Sequence, residues 1–291
     1  MPAEIRPRRS VLYMPGASGR AIEKARGLPA DGLILDLEDA VAPAQKEEAR
    51  ALVAAELGRG GFGHRERVVR VNGAGTPWHE ADLRAAARMD ADAVCLPKVE
   101  GAAAVRAAEA RLLAAGAPGS LRLWCMIETP RGVLAAAEIA AASPRLACLV
   151  MGTSDLVKDL GARHTASRAE VLTALSLTLL AARAHGLAAL DGVHLDLSDD
   201  VGFEAACRQG RDMGFDGKTL IHPRTIEAAN RAFSPGADEL ALARRIVAAH
   251  AESQAQGKGV VVVDGRLVEN LHVEAAVRLL RLAEAIAARA S

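Results

Sequence analysis

Eight short apolar runs recur along about the first 230 residues, each followed by an Ala-rich stretch of helical character, and nothing else in the chain limits its fold so tightly. The runs are Val11–Met14, Leu33–Leu37, Arg67–Val71, Ala93–Pro97, Leu121–Ile127, Ala147–Met151, Leu187–Leu190 and Lys218–Ile221. Helical stretches fall near Arg20–Leu28, Ala44–Leu57, Trp78–Met89, Gly101–Ala115, Arg131–Ala141, Arg168–His185, Gly202–Met213 and Pro223–Ala232. Near-continuous apolarity suits a parallel strand buried on both faces. Eight strand–helix units predict an α/β fold, a (β/α)8 TIM barrel. The competing architecture, a doubly wound sheet, needs a Gly-rich phosphate turn after its first strand. The stretch YMPGASGR has two glycines there but not the GxGxxG spacing.

Beyond the eighth unit the pattern changes. SPGADEL opens a helix to about Gln256, GKGVVVVDGRLVEN reads as a strand and turn, and an amphipathic helix runs from about His272 to Arg289. Residues 1–233 are therefore expected to form the barrel. Residues 234–291 are expected to form a helical and strand extension that packs on a neighbouring subunit.

Composition removes several function classes. Aromatic residues make up 2% of the chain, too few for a platform that stacks on bases. Lys plus Arg and Asp plus Glu stand at 36 each, so no net charge draws the chain to nucleic acid or to an anionic membrane. No apolar run has the length of a membrane span, and none follows the basic start MPAEIRPRRS as a signal peptide would require. A cytoplasmic location is expected. Cys95, Cys125, Cys148 and Cys207 form no CxxC pair, and three of them sit in apolar runs, as small core hydrophobes do.

In a (β/α)8 barrel the chemistry sits at the carboxyl ends of the strands. At or just past the ends of the eight runs are Tyr13, the Asp36/Glu38/Asp39 group of LILDLEDAVAP, Arg70 with Asn72, Lys98 with Glu100, Glu128, Asp155 of GTSDL, Asp191, and His222. Singly, each has a plain structural reading: a helix cap, a turn residue or a local ion pair. Together they gather acids at one end. Glu128 and Asp155 close adjacent strands, which suits a hard cation such as Mg²⁺ completed by water and substrate oxygens. Zn²⁺ is disfavoured, because no His/Cys group has ligand spacing. Glu38 and Asp39 would accept from the cation's waters across the barrel, and Asp36 lies deeper as a structural residue. Arg70 could fork onto a substrate carboxylate, or could merely neutralise Glu38 or Asp39.

The segments RSVLYMPG, LDLEDAV, RVNG, LPKVE, MIETPRGV, MGTSDL, LDGV and GFDGKTLIHPRTIEAANRAFSP, in this order, resemble the citrate lyase β-subunit-like (CitE-like) family of the HpcH/HpaI aldolase superfamily. That group includes malyl-CoA, β-methylmalyl-CoA and citramalyl-CoA lyases. The resemblance runs from about Arg9 to the final helix. It implies a (β/α)8 barrel assembled as a homotrimer or homohexamer, with Mg²⁺ (Mn²⁺ as the alternative) on Glu128 and Asp155. It implies an oxo-acid carboxylate on Arg70, an acidic pair Glu38/Asp39 near the metal's waters, and substrate contacts from Gly152, Thr153 and Ser154. CoA would lie near Arg20, Lys24, His222 and Pro223. Two positions depart from the pattern. DGRLVEN matches Asp264 to the first acid of a DGxxxD-like turn but puts Glu269 where lyase relatives carry the acid/base Asp, and Thr225 stands where IHPxQ is common.

The favoured chemistry is cleavage of a 3-hydroxyacyl-CoA to an acyl-CoA and a 2-oxo acid such as glyoxylate or pyruvate. Arg70 would hold the carboxylate, and Glu269 would protonate the acyl-CoA carbon. Two alternatives stand beside it: hydrolysis of a malyl- or citryl-type thioester, and a citryl lyase subunit acting on an acyl carrier partner.

Overall fold

The computed structural model describes residues 5–255 and 261–290. It falls into two compact units, Arg8–Phe233 and the remainder, made of the segment before Arg8 and the residues from Ser234 on.

The first unit is a closed barrel of eight parallel strands in sequence order. These are β1 (Ser10–Pro15), β2 (Gly32–Asp36), β3 (Glu66–Arg70), β4 (Ala93–Leu96), β5 (Arg122–Ile127), β6 (Leu146–Met151), β7 (Ala188–Asp191) and β8 (Gly217–Leu220). Alternation along the strands sorts their side chains into two layers. Val11, Ile34, Val68, Cys95, Trp124, Met126, Cys148, Val150 and Leu190 form the inner core. Leu12, Leu35, Val69, Leu123, Cys125 and Leu149 pack outward with the helices. All four cysteines are buried and free, as small core residues. Arg8 forks onto Glu66 at 2.6 and 2.8 Å and stacks over Trp124 at 5.3 Å, beside the inner core.

The helices follow the strands as α1 (Gly19–Ala25), α2 (Lys46–Arg59), α3 (His79–Ala86), α4 (Ala102–Ala114), α5 (Pro130–Leu134), α6 (Ala136–Ala140), α7 (Thr153–Asp159), α8 (Leu172–Ala184), α9 (Asp200–Met213) and α10 (Ile226–Phe233). The continuous helix expected over Arg131–Ala141 breaks at Ala135 into α5 and α6. α7 was not expected: a helical turn starts straight after β6, with Gly152 at its cap position.

The second unit pairs α11 (Ala237–Ala255) with α12 (Asn270–Ala290). A two-stranded hairpin, β9 (Val261–Val263) and β10 (Arg266–Val268), lies between them in the sequence. The turn residues Asp264 and Gly265 both have positive φ, 50° and 75°, the Asp-Gly signature of a tight hairpin. Val261, Val263 and Val268 pack with Leu242, Ile246, Ala249 and Val273. Gln256 and the GKGV segment fall outside the described residues. No described helix is long and apolar enough to cross a membrane.

Candidate functional site

The carboxyl ends of the strands surround a cavity of ≈ 360 Å³, lined by residues that include Tyr13, Asp36, Asp39, Arg70, Met126, Glu128, Gly152, Thr153, Ser154, Asp155 and Ile221. Half of the expected site residues, Asp39, Arg70, Glu128, Gly152, Thr153, Ser154 and Asp155, therefore line one cavity.

Register explains the first contact. Asp36 and Arg70 are directly abreast on β2 and β3. Arg70 forks onto Asp36 through Nε at 2.7 Å and Nη2 at 2.6 Å. Asp36 also accepts the main-chain N–H groups of Glu38 at 2.9 Å and Ala40 at 3.0 Å. It is the residue that shapes the acidic loop, a structural role filled by four donors. Lys46 braces the same loop from below, with Nζ at 2.9 Å from the Leu37 carbonyl and 2.6 Å from that of Glu38.

The remaining arm of Arg70, Nη1, reaches Glu38 Oε2 at 2.9 Å and lies 3.8 Å from Asp39 Oδ2, while the guanidinium stacks on Tyr13 at 4.8 Å. Burial opposes its charge, but the Asp36 hydrogen bonds and the nearby acids keep it protonated, well above its ordinary range. The expected fork onto a ligand carboxylate therefore needs correction: the Nε–Nη2 edge belongs to Asp36, and Nη1 is the arm nearest the acids of the loop. Tyr13 is itself held un-ionised by burial.

Lys98 joins the two groups of acids. Its main-chain N–H donates to Glu128 Oε1 at 2.7 Å, and its Nζ donates to Glu38 Oε1 at 2.8 Å. Burial of Glu38 raises its carboxyl despite the opposing pull of Arg70 and Lys98. Glu128 is 1% exposed and is pushed up to about 7, chiefly by burial, with Glu38 and Asp155 adding repulsion. Gly152 lies beside it because a Cβ there would overlap the Glu128 side chain. Asp155 sits in the first turn of α7.

The donor set fits a hard divalent cation. Asp36, Glu38, Asp39, Glu128 and Asp155 face three side-chain cations, Arg70, Lys98 and Lys46, so negative charge is still in excess. Glu128, raised to about 7 by burial even with Arg70 pulling the other way, is the carboxylate that a cation would relieve most. No three His, Cys, Asp or Glu side chains converge as a metal cluster among the described residues. Glu128 and Asp155 would thus share a cation with water and substrate oxygens, the usual habit of Mg²⁺.

Arg20, Lys24, His222 and Pro223 belong to the first unit, and Asp264 and Glu269 to the second. Arg20 and Lys24 are exposed one turn apart on α1 and do not line the cavity. His222 accepts the Arg224 N–H at 3.2 Å, and Pro223 starts a 3₁₀ turn, so both shape the loop after β8. In the second unit, Asp264 pairs with Arg245 at 2.7 Å, and Glu269 is exposed just before α12, with His272 accepting from its N–H at 3.0 Å. Lys98 and Tyr13 stand among the strand-end residues in the sequence, but their residue types there point to no particular role.

The HpcH/HpaI aldolase/citrate lyase family model matches residues 9–223. The chain belongs to that family. This HpcH/HpaI family member is 54% identical over 99% of both chains to a (3S)-malyl-CoA thioesterase of Cereibacter sphaeroides (strain KD131 / KCTC 12085). It is 37% identical to citrate lyase subunit beta of Escherichia coli (strain K12), over 96% of this chain and 94% of that one. Among solved structures it is similar to the protein CitE from Mycobacterium tuberculosis in complex with magnesium, acetoacetate and coenzyme A. That match has a TM-score of 0.76 and 34% identity, and covers 96% of this chain and 100% of the other.

Proposed function

We propose that this chain is a Mg²⁺-dependent hydrolase of a (3S)-malyl-CoA-type thioester. The observation that carries the reading is the 54% identity, end to end, to (3S)-malyl-CoA thioesterases, against 37% to citrate lyase subunit beta. Glu128 and Asp155 would hold the cation, which when bound supplies a Lewis acid for the substrate's oxygens. Substrate carboxylate would meet the main-chain N–H groups of Thr153 and Ser154 at the start of α7, which no side chain caps, together with Nη1 of Arg70. The Asp36 fork would keep Arg70 from moving as the ligand enters.

Hydrolysis forms a C–O bond from water and breaks the C–S bond. One water proton must leave, and Asp39 would take it. Its carboxylate lines the cavity, is exposed, and lies 3.8 Å from both Arg70 and Lys98, too far for a hydrogen bond to either. The thiolate of CoA takes its proton from solvent. No acid is needed at carbon, which agrees with the departure at Glu269.

Carbon–carbon cleavage is the second reading, favoured by the citrate lyase subunit beta relatives. It would need Glu269, from this or a neighbouring copy in a homotrimer or homohexamer, to protonate the acyl-CoA carbon. Incubation of the purified chain with (3S)-malyl-CoA and Mg²⁺, followed by mass spectrometry, separates the two. Free CoA with malate supports hydrolysis; acetyl-CoA with glyoxylate overturns it.

A further inference from the structure

Lys98 has a φ of +49°, a left-handed conformation that a residue with a Cβ adopts only where its surroundings hold it. Glycine would take that turn freely. A lysine here therefore signals work by its side chain as well as its backbone, and the contacts show both. The turned main chain aims its N–H at Glu128 Oε1, at 2.7 Å. The side chain runs the other way, to Glu38 Oε1 at 2.8 Å and to within 3.8 Å of Asp39 Oδ1. Arg70 mirrors it from below, at 2.9 Å from Glu38 Oε2 and 3.8 Å from Asp39 Oδ2. Arg70 is already committed to Asp36, and it is nearly buried. Lys98 is the more exposed partner of the pair, with its side chain 45% exposed.

The consequence is a division of the carboxylates. Glu128 gives Oε1 to a neutral N–H donor and keeps its charge for a cation. Glu38 and Asp39 face an ammonium that stands where a second cation would be attracted. Resting on the reading that the cavity holds one divalent cation, we propose that Lys98 is the positioning residue that sets this stoichiometry. Its main chain fixes Glu128 for the metal, and its ammonium keeps Glu38 and Asp39 from recruiting another.

Calorimetric titration of the full chain with Mg²⁺, without substrate, tests this directly. The parent takes one Mg²⁺. Lys98→Met keeps the backbone donor but loses the ammonium, and takes two. Lys98→Gly, which accepts the left-handed turn without strain, also takes two, so the test survives if the Met variant folds poorly. Lys98→Arg restores a cation and returns to one. A parent that binds no Mg²⁺, a Met or Gly variant that titrates like the parent, or an Arg variant that titrates like Met overturns the proposal. Hydrolysis of (3S)-malyl-CoA is measured separately on the same samples. Loss of the expected products with the stoichiometries intact removes the functional reading alone, and parent-like stoichiometry in an active Met variant removes this proposal alone.

Discussion

Replacing Glu128 by Gln should stabilise the metal-free protein and abolish its stabilisation by Mg²⁺. Glu128 is 1% exposed and raised from 4.5 to about 7. Below the unfolded value the carboxyl is protonated in both states and costs nothing. As pH rises from there, the unfolded chain ionises first, so folding stability falls until the folded-state value is passed. A shift of this size corresponds to about 3 kcal/mol in full, with about 2 kcal/mol lost between pH 5 and pH 7. Glu38 is shifted in the same direction, so the parent's own profile contains more than one group. The difference between parent and variant isolates Glu128. Gln keeps an oxygen for the Lys98 N–H but carries no charge. Urea melts at about pH 5 and about pH 8, with and without Mg²⁺, should show the metal-free gap shifting in favour of the variant by about 1–3 kcal/mol at the higher pH, allowing for the buried amide. Mg²⁺ should raise the parent and leave the variant where it was. A parent with a flat profile, or a variant protected equally by Mg²⁺, would refute the reasoning.

Gly152→Ala should push the Glu128 carboxylate from its place. It should cost about 1–3 kcal/mol in denaturant melts and lower Mg²⁺ affinity; parent-like calorimetry would show that the pocket yields easily. Arg70→Lys keeps the charge but not the fork on Asp36, so stability and hydrolysis should fall together, stability by about 1–3 kcal/mol. Loss of substrate binding at unchanged stability would instead mark Arg70 as a ligand clamp alone. Glu269→Gln should leave CoA release within about threefold of the parent, because hydrolysis needs no acid at carbon; a much deeper loss would favour the cleavage chemistry.

All eight strands were legible to within one or two residues at each end. Parallel strands covered on both faces are near-continuous apolar runs, and their neighbours in this fold are their neighbours in sequence. The site end of the barrel followed from the same pattern, because charged residues close one strand after another. What escaped were features set by register and dihedral angle. Asp36 and Arg70 are 34 residues apart and meet because β2 and β3 pair in one register. Without that register, Arg70 reads as a fork for a ligand or a partner of Glu38 or Asp39, and the Asp36 pairing is missed. Lys98 shows no sign in its residue type of a φ of +49°. The break at Ala135 lies in an Ala-rich run with no Gly or Pro at that point, so propensity gave no warning. α7 hid because its start is the very motif that ends β6, with no side-chain cap to announce it.

In the proposed reaction water attacks the thioester, and no carbon–carbon bond is broken. Turnover of (3S)-malyl-CoA with Mg²⁺ in water labelled with heavy oxygen tests it most directly. Hydrolysis places one labelled oxygen in the new carboxyl group of malate, none in its hydroxyl, and releases an equal amount of free CoA. Release of acetyl-CoA and glyoxylate, with no label entering a malate carboxyl group, would contradict the account.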